Sequence, residues 1–321
     1  MNQLPPGGAA NPPRPARRLV PRGRWLWATP LVVGILVAAY FKLPALGYHW
    51  FRTSSNSAQW QQGALWLPDY RVTVEALPID GLTRNLSGLT FNTETGTLFA
   101  IINRPPQIAE LTTAGRLLRI VDIEGARDPE DLAHVQGNTY VVVDELSQSL
   151  YWVQIGPASR RISTAGAPML RLGVGDAHNM GFEGVCWDRR HARMFVVKEK
   201  LPLSVLVVRG LDGTGPPAGA AVDIGEWKSW HEASLFMSDL SAITVHEPTG
   251  HVLLLSDESA LLVEYTADGQ PVSILPLWRG FHGLQRKVPQ PEGVAVGPDG
   301  TIYLVSEPNL FYRFERVSVQ K

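Results

Sequence analysis

Glu292-Gly293-Val294-Ala295-Val296, Gly297-Pro298-Asp299-Gly300 and Thr301-Ile302-Tyr303-Leu304-Val305-Ser306-Glu307 read in turn as a strand, a tight turn and a second strand. β-Branched and aliphatic runs flank a Pro-Asp-Gly turn signal, which is hairpin chemistry. Four other segments open in the same way: Ser87-Gly88-Leu89, Glu130-Asp131-Leu132, Glu183-Gly184-Val185 and Ser241-Ala242-Ile243. Each is a polar residue, usually a small one, then an aliphatic that starts a strand. The five starts lie 43, 53, 58 and 51 residues apart. A period of about 40–50 residues with four strands per unit is the mark of a β-propeller. The end of the chain cuts the last copy short. Asp69–Leu86, containing the strand-like Tyr70–Leu77, supplies what it lacks. The N-terminal strand is therefore expected to complete the last blade and close the ring, leaving no open sheet edge.

Short apolar runs at Leu98–Ile102, Thr139–Val143, Met194–Val197 and Val252–Leu255 fit the same scheme, and no long helical period follows residue 69. The fold class is all-β, a β-propeller over 69–321 with five blades. Six blades would require an irregular one hidden in the inserts 156–180 or 210–238.

The segment before the propeller is of another kind. Residues 1–24 hold five arginines, six prolines and no acid, a composition that predicts a disordered basic leader. Trp25 to Phe41 is free of charge for seventeen residues, which predicts one transmembrane helix over 25–46 and a linker over 47–68. Ala38-Ala39 is followed by Tyr40, Phe41 and Lys42, a poor cleavage context, so an uncleaved anchor is favoured over a signal peptide. The arginines put the N-terminus in the cytoplasm by the positive-inside rule. In a bacterium the expected location is the inner (plasma) membrane, single-pass, with the propeller periplasmic. Net charge over the chain is −1, but without the five leader arginines 24 basic residues face 30 acidic ones. An acidic body argues against a nucleic-acid partner. The single cysteine, Cys186, rules out an intramolecular disulfide framework and a Cys-rich zinc site and reads as a small buried residue.

In a propeller the start of each innermost strand and the end of the next lie on one face, near the axis. Strand-one starts bring Ser87, Glu130, Glu183, Ser241 and Glu292 there; strand-two ends bring Asn103, Asp144, Glu199, Asp257 and Glu307. Glu145 and Glu258 follow directly, with Arg104 and Lys198 as nearby cations. Converging glutamates stay ionised only if a cation compensates them. Oxygen ligands without cysteine favour a hard divalent cation, with Ca²⁺ expected ahead of Mg²⁺. Glu130, Glu183 and Glu292 are the candidate metal ligands. Asn103, Asp144, Glu199, Asp257 and Glu307 are the candidate ligand-binding rim, the competing role being to brace strand ends against backbone amides. The inserts add His178, His231 and His282, without metal-ligand spacing.

Asn85-Leu86-Ser87-Gly88-Leu89, Gly181-Phe182-Glu183-Gly184-Val185, Lys198-Glu199-Lys200 and Ser306-Glu307-Pro308-Asn309-Leu310-Phe311-Tyr312-Arg313-Phe314 together resemble the SdiA-regulated-domain (YjiK-like) family of bacteria over about residues 69–317. The resemblance implies a propeller behind an N-terminal membrane segment, in a family of unassigned biochemical role. A more distant similarity is to gluconolactonase-like and NHL-like propellers. In the gluconolactonase-like enzymes an acidic residue before a glycine, at an inner-strand start, binds a divalent cation. Glu183-Gly184 and Glu292-Gly293 match that pattern, Glu130-Asp131 matches it less well, and Ser87 and Ser241 depart from it. The expected function is a membrane-tethered propeller that binds a divalent cation and a small molecule or protein at its acidic mouth. The alternative is a metal-dependent hydrolase, of lactonase or phosphoesterase type, on the same face.

Overall fold

A computed structural model describes residues 25–40, 42–55, 57–61, 63–173, 181–200, 202–217 and 221–317. The basic leader and His178 lie outside the described residues. The body is a five-bladed β-propeller. Blade 1 is Leu86–Asn92, Thr97–Ile102, Gln107–Leu111 and Leu117–Glu124; blade 2 is Pro129–Gln136, Thr139–Asp144, Ser149–Gln154 and Met169–Arg171. Blade 3 comprises Phe182–Asp188, Arg193–Lys198, Ser204–Arg209 and Asp223–Ser229, and blade 4 Ala242–His246, His251–Ser256, Leu261–Tyr265 and Pro271–Pro276. Blade 5 takes Gln290–Val296, Ile302–Glu307 and Leu310–Arg316 from the end of the chain and Tyr70–Pro78 from its start.

The strands read as continuous apolar runs because both of their faces are buried. Leu98, Ala100 and Ile102 face blade 5, whereas Phe99 and Ile101 face blade 2. Alternation along one strand thus feeds two cores. Five apolar clusters result, one between each pair of neighbouring blades. Closure through Tyr70–Pro78 pairs Tyr70 with Arg316 and Pro78 with Leu310, as the incomplete last repeat requires.

Neither insert hides a sixth blade among the described residues. Arg161–Ser163 pairs in parallel with the outer strand of blade 1, and Met169–Arg171 then returns to complete blade 2. Asp223–Ser229 is the outer strand of blade 3.

The small residue in each repeat opening is explained by the ring of inner strands. A Cβ on Gly184 would lie 3.0 Å from Ala242 Cα in the next blade, and one on Gly293 would lie 2.8 Å from the Gly88 carbonyl carbon. Blade 2 has Asp131 at this position, and a Cβ on Gly88 would collide with it. Asp131 is 1% exposed and accepts the amides of Leu132 and Val185, each at 2.8 Å, together with that of Leu89. One carboxylate therefore ties the inner strands of three blades together.

The N-terminal segment differs from the expected span and linker. Helix α1 is Trp25–Tyr40 and helix α2 is Leu43–Ser55; the break falls at Lys42, whose φ is 47°. Across the break the helices bend by 54°. No single described helix is long and apolar enough to cross a membrane, although the bent pair satisfies length and composition together. Residues 47–55 are thus helical, and α2 is docked on the propeller. His49 Nε2 donates to Ala233 O at 3.2 Å and its ring stacks on Phe236, while Ala45 and Leu46 pack on the core between blades 3 and 4. Further on, the fully buried Glu264 accepts the amides of Leu65 and Trp66, the Ser273 hydroxyl and His251 Nδ1.

Candidate functional site

The repeated polar residues stand at irregularities in the ladder. The register of the inner strand shifts between Leu86 and Leu89, Pro129 and Asp131, Phe182 and Gly184, and Pro291 and Gly293. Ser87, Glu130, Glu183 and Glu292 fall within those shifts. A β-bulge leaves its extra residue unpaired and re-aims the side chain. Four repeats therefore turn a polar side chain out of the ladder at the same level near the axis. Blade 4 departs from the pattern: Ser241 precedes its strand, and Ser241 Oγ donates to Pro291 O at 2.7 Å, bracing blade 4 against blade 5.

Glu130 is the best-defined member. It is 7% exposed and accepts hydrogen bonds from Ser87 Oγ at 3.2 Å and from Asn103 Nδ2 at 3.3 Å. Burial, then the charges of Asp128 and Glu145, push its carboxyl up to about 8 against those two bonds. Burial raises Glu183 well above the usual range, with Glu130, Glu199, Glu145 and Glu292 adding to the effect. Burial, then Asp257, Glu307 and Glu130, push Glu292 up to about 9. The three glutamates expected to bind metal thus feel one another across the channel.

The tightest group shares only one of them. Carboxylate oxygens of Asp128, Glu130 and Glu145 all lie within 4.8 Å of one another. Asp128 lies in the bend that leads into the strand of Glu130. Glu145 follows the second strand of the same blade, and burial, Asp128 and Glu199 raise its carboxyl. Arg104, its side chain 70% exposed, holds Asp128 through Nη2 at 3.0 Å. Asn103, having turned its amide nitrogen to Glu130, leaves Oδ1 buried without a hydrogen-bond partner among the described residues. The donor set is all oxygen, which fits a hard divalent cation.

The expected rim divides. Asn103 joins Glu130. Glu199, Asp257 and Glu307 are half-buried at strand-two ends, and their charges act on Glu183 and Glu292. Burial raises Asp257, opposed by Lys287. Asp144 is instead a brace. It is 1% exposed and accepts the amides of Arg127 at 2.6 Å, Asp128 at 3.2 Å and Ser147 at 2.8 Å, which fixes the loop carrying Asp128. Asp239, absent from the sequence expectation, does the same in blade 4, accepting the Ser256 hydroxyl and the Glu258 amide. The two described insert histidines are spent separately: His282 Nδ1 donates to Tyr70 O at 2.8 Å, and His231 lies against Trp230 at 4.2 Å between ring centroids. Cys186 is buried.

Solved structures of similar fold include a luciferin-regenerating enzyme (11% identity, 78% of this chain and 96% of that one, TM-score 0.48). Others are the calcium-binding protein regucalcin from Agrobacterium tumefaciens (14%, 76% and 92%, TM-score 0.44) and a nidogen/laminin complex (12%, 70% and 73%, TM-score 0.45). The SdiA-regulated family model matches residues 62–315, the whole ring from the segment before its closing strand, and the chain belongs to the SdiA-regulated family.

Proposed function

We propose that this protein is a membrane-tethered propeller of the periplasm that holds a divalent cation, Ca²⁺ first, at its acidic mouth and presents it to a small-molecule or protein ligand. The observation that carries the reading is the convergence of Asp128, Glu130 and Glu145 within 4.8 Å, next to Asn103 Oδ1, which has no hydrogen-bond partner among the described residues. Three carboxylates at that separation repel, and burial removes the water that would screen them. A cation held by Asp128, Glu130 and Glu145 would offset the repulsion and favour the ionised forms of Glu183 and Glu292 beside it. Asn103, Glu199, Asp257 and Glu307 then form the rim that a ligand meets.

The tether is supported by composition and exposure. Leu31, Val32, Val33, Ile35, Leu36 and Val37 of α1 are all about half exposed or more, on every side of the helix. A helix apolar all round requires an apolar solvent. The leader arginines put its N-terminus in the cytoplasm of a bacterial cell and the propeller on the periplasmic face of the inner membrane.

Thermal unfolding of the full chain in detergent, with chelator and then with Ca²⁺ or Mg²⁺, tests the cation. The expected result is a rise in melting temperature with Ca²⁺, abolished in Glu130→Gln. No rise, or an equal rise in the variant, removes the site. Cation-dependent turnover of lactones or phosphate esters that disappears in Glu130→Gln would turn the reading toward a hydrolase.

A further inference from the structure

The junction between α1 and α2 sits on the same face as the acidic mouth. Strands alternate in direction within a blade, so the outer strand of one blade ends on the face where the inner strand of the next begins. The connection from Ser229 to Ser241 therefore lies on the acidic face. Lys42, at the bend, donates through Nζ to Leu235 O at 2.7 Å in that connection. Leu43 and Leu46 line a cavity of about 190 Å³ with Glu258 and Ser259, in the turn that follows Asp257. The chain thus leaves α1 at the rim of the acidic mouth, over blade 4.

Exposed aromatic side chains gather near this junction. Tyr48 (60% exposed), Trp50 and Phe51 (73%) project from α2; on the propeller, Phe281 meets Trp50 at 6.2 Å and the Trp230 carbonyl accepts from Lys42 Nζ. No other Trp, Tyr or Phe on the described propeller surface is comparably exposed; the remaining exposed large residues there are aliphatic or Met169. Residues 25–68 contain no carboxylate, and their two charges, Lys42 and Arg52, are cationic. Aromatics and cations beside an apolar helix match the chemistry of a headgroup layer.

We infer that the propeller seats this rim on the bilayer, so that the acidic mouth opens toward lipid headgroups and not toward the bulk periplasm. The occupant of the surface is the lipid bilayer itself, continuous with α1. A ligand of the mouth then enters through the gap between propeller and membrane. This orientation rests on the tether proposed above.

Energy transfer from single labels to a headgroup-labelled lipid in nanodiscs tests it with the full chain, Cys186 being buried and unreactive. Trp230→Cys marks the rim, Leu146→Cys the acidic face across the ring, and Asn138→Cys a turn on the opposite face. Transfer should fall in the order 230, 146, 138, and Phe51→Ser with Phe281→Ser should shrink the gap between 146 and 138 while the chain stays in the disc. Equal transfer at 146 and 138, or the reverse order, overturns the orientation while leaving the tether standing. Failure of the chain to enter nanodiscs overturns the tether, and the orientation with it.

Discussion

The two ends of the central channel are built from the same five strands and treat charge in opposite ways. At the acidic end, Glu130, Glu183 and Glu292 stand in ladder irregularities, crowd one another and are pushed upward by burial. At the other end burial also raises the Glu247 carboxyl, but cations and amides stand beside it. Arg189 donates through Nη2 to Val135 O at 2.9 Å and through Nη1 to Thr93 Oγ1 at 3.3 Å, while its amide donates to Glu247. His134 donates through Nε2 to Gly137 O at 3.0 Å. The repeat therefore builds a stable ring at one end and leaves unmet electrostatic demand at the other. The proposed cation would meet that demand.

The sharpest break in the comparison comes from an acid beside the mouth that belongs to the stable class. Asp131→Ala leaves the Leu89 and Val185 amides buried without an acceptor. A loss of about 3 kcal/mol, or failure to fold, is expected. Urea denaturation measures it, and a loss below about 1 kcal/mol would mean that the three-blade tie does little. The mouth should answer in the opposite direction. Glu183→Gln with Glu292→Gln removes repulsion, so in chelator at alkaline pH the variant should gain on the order of 1–2 kcal/mol over the parent. A variant less stable than the parent under those conditions would place the two glutamates with the braces.

What the sequence could reveal follows from the range of the interactions involved. Blade number, strand positions and ring closure were legible because they rest on local turn chemistry and a repeated apolar pattern, from Ser87-Gly88-Leu89 to Glu292-Gly293-Val294. The acidic end was legible because register in a propeller carries each repeat start to the axis. Asp128 was not, since it lies off the repeat, in a bend whose course is set by the amides that Asp144 accepts. Asp131 and Asp144 depart from their repeat positions in opposite ways. The first occupies a small-residue position and ties three blades; the second occupies a rim position and braces a loop. Only the amides they meet distinguish them, and the Val185 amide is 54 residues away from Asp131. Helix α2 was hidden because its seat is tertiary: His49 on Phe236 and Lys42 on Leu235 O.

Acidity provides the next test. Glu130 and Glu292 are raised to about 8 and about 9, so the folded state binds more protons than the unfolded state above the ordinary carboxylate range of 4.5. With ν_N larger than ν_U, stability must fall as pH rises through that window. In chelator the melting temperature should decline from about pH 5 to pH 9, and Ca²⁺ should flatten the decline, binding more tightly as the carboxyls lose protons. A chelated protein whose stability rises across the same range contradicts the crowded mouth. Among the described residues no such carboxylate group lies at the opposite end, so Arg189→Ala should cost about 1 kcal/mol and leave the Ca²⁺ response unchanged.

The smallest effect comes from the cation that already holds one of the three carboxylates. Arg104 holds Asp128 from a largely exposed position, where an ion pair contributes little because water screens it. Its removal should hardly move the melting temperature in chelator. Asp128, however, is one of the three carboxylates that the proposed ion would use, so Arg104 competes for it. Arg104→Ala should therefore tighten Ca²⁺ binding by a few fold, read by calorimetric titration, while Arg104→Lys restores much of the competition. Weaker binding in Arg104→Ala would mean that the guanidinium positions Asp128 for the ion, and unchanged binding would remove Asp128 from the ligand set.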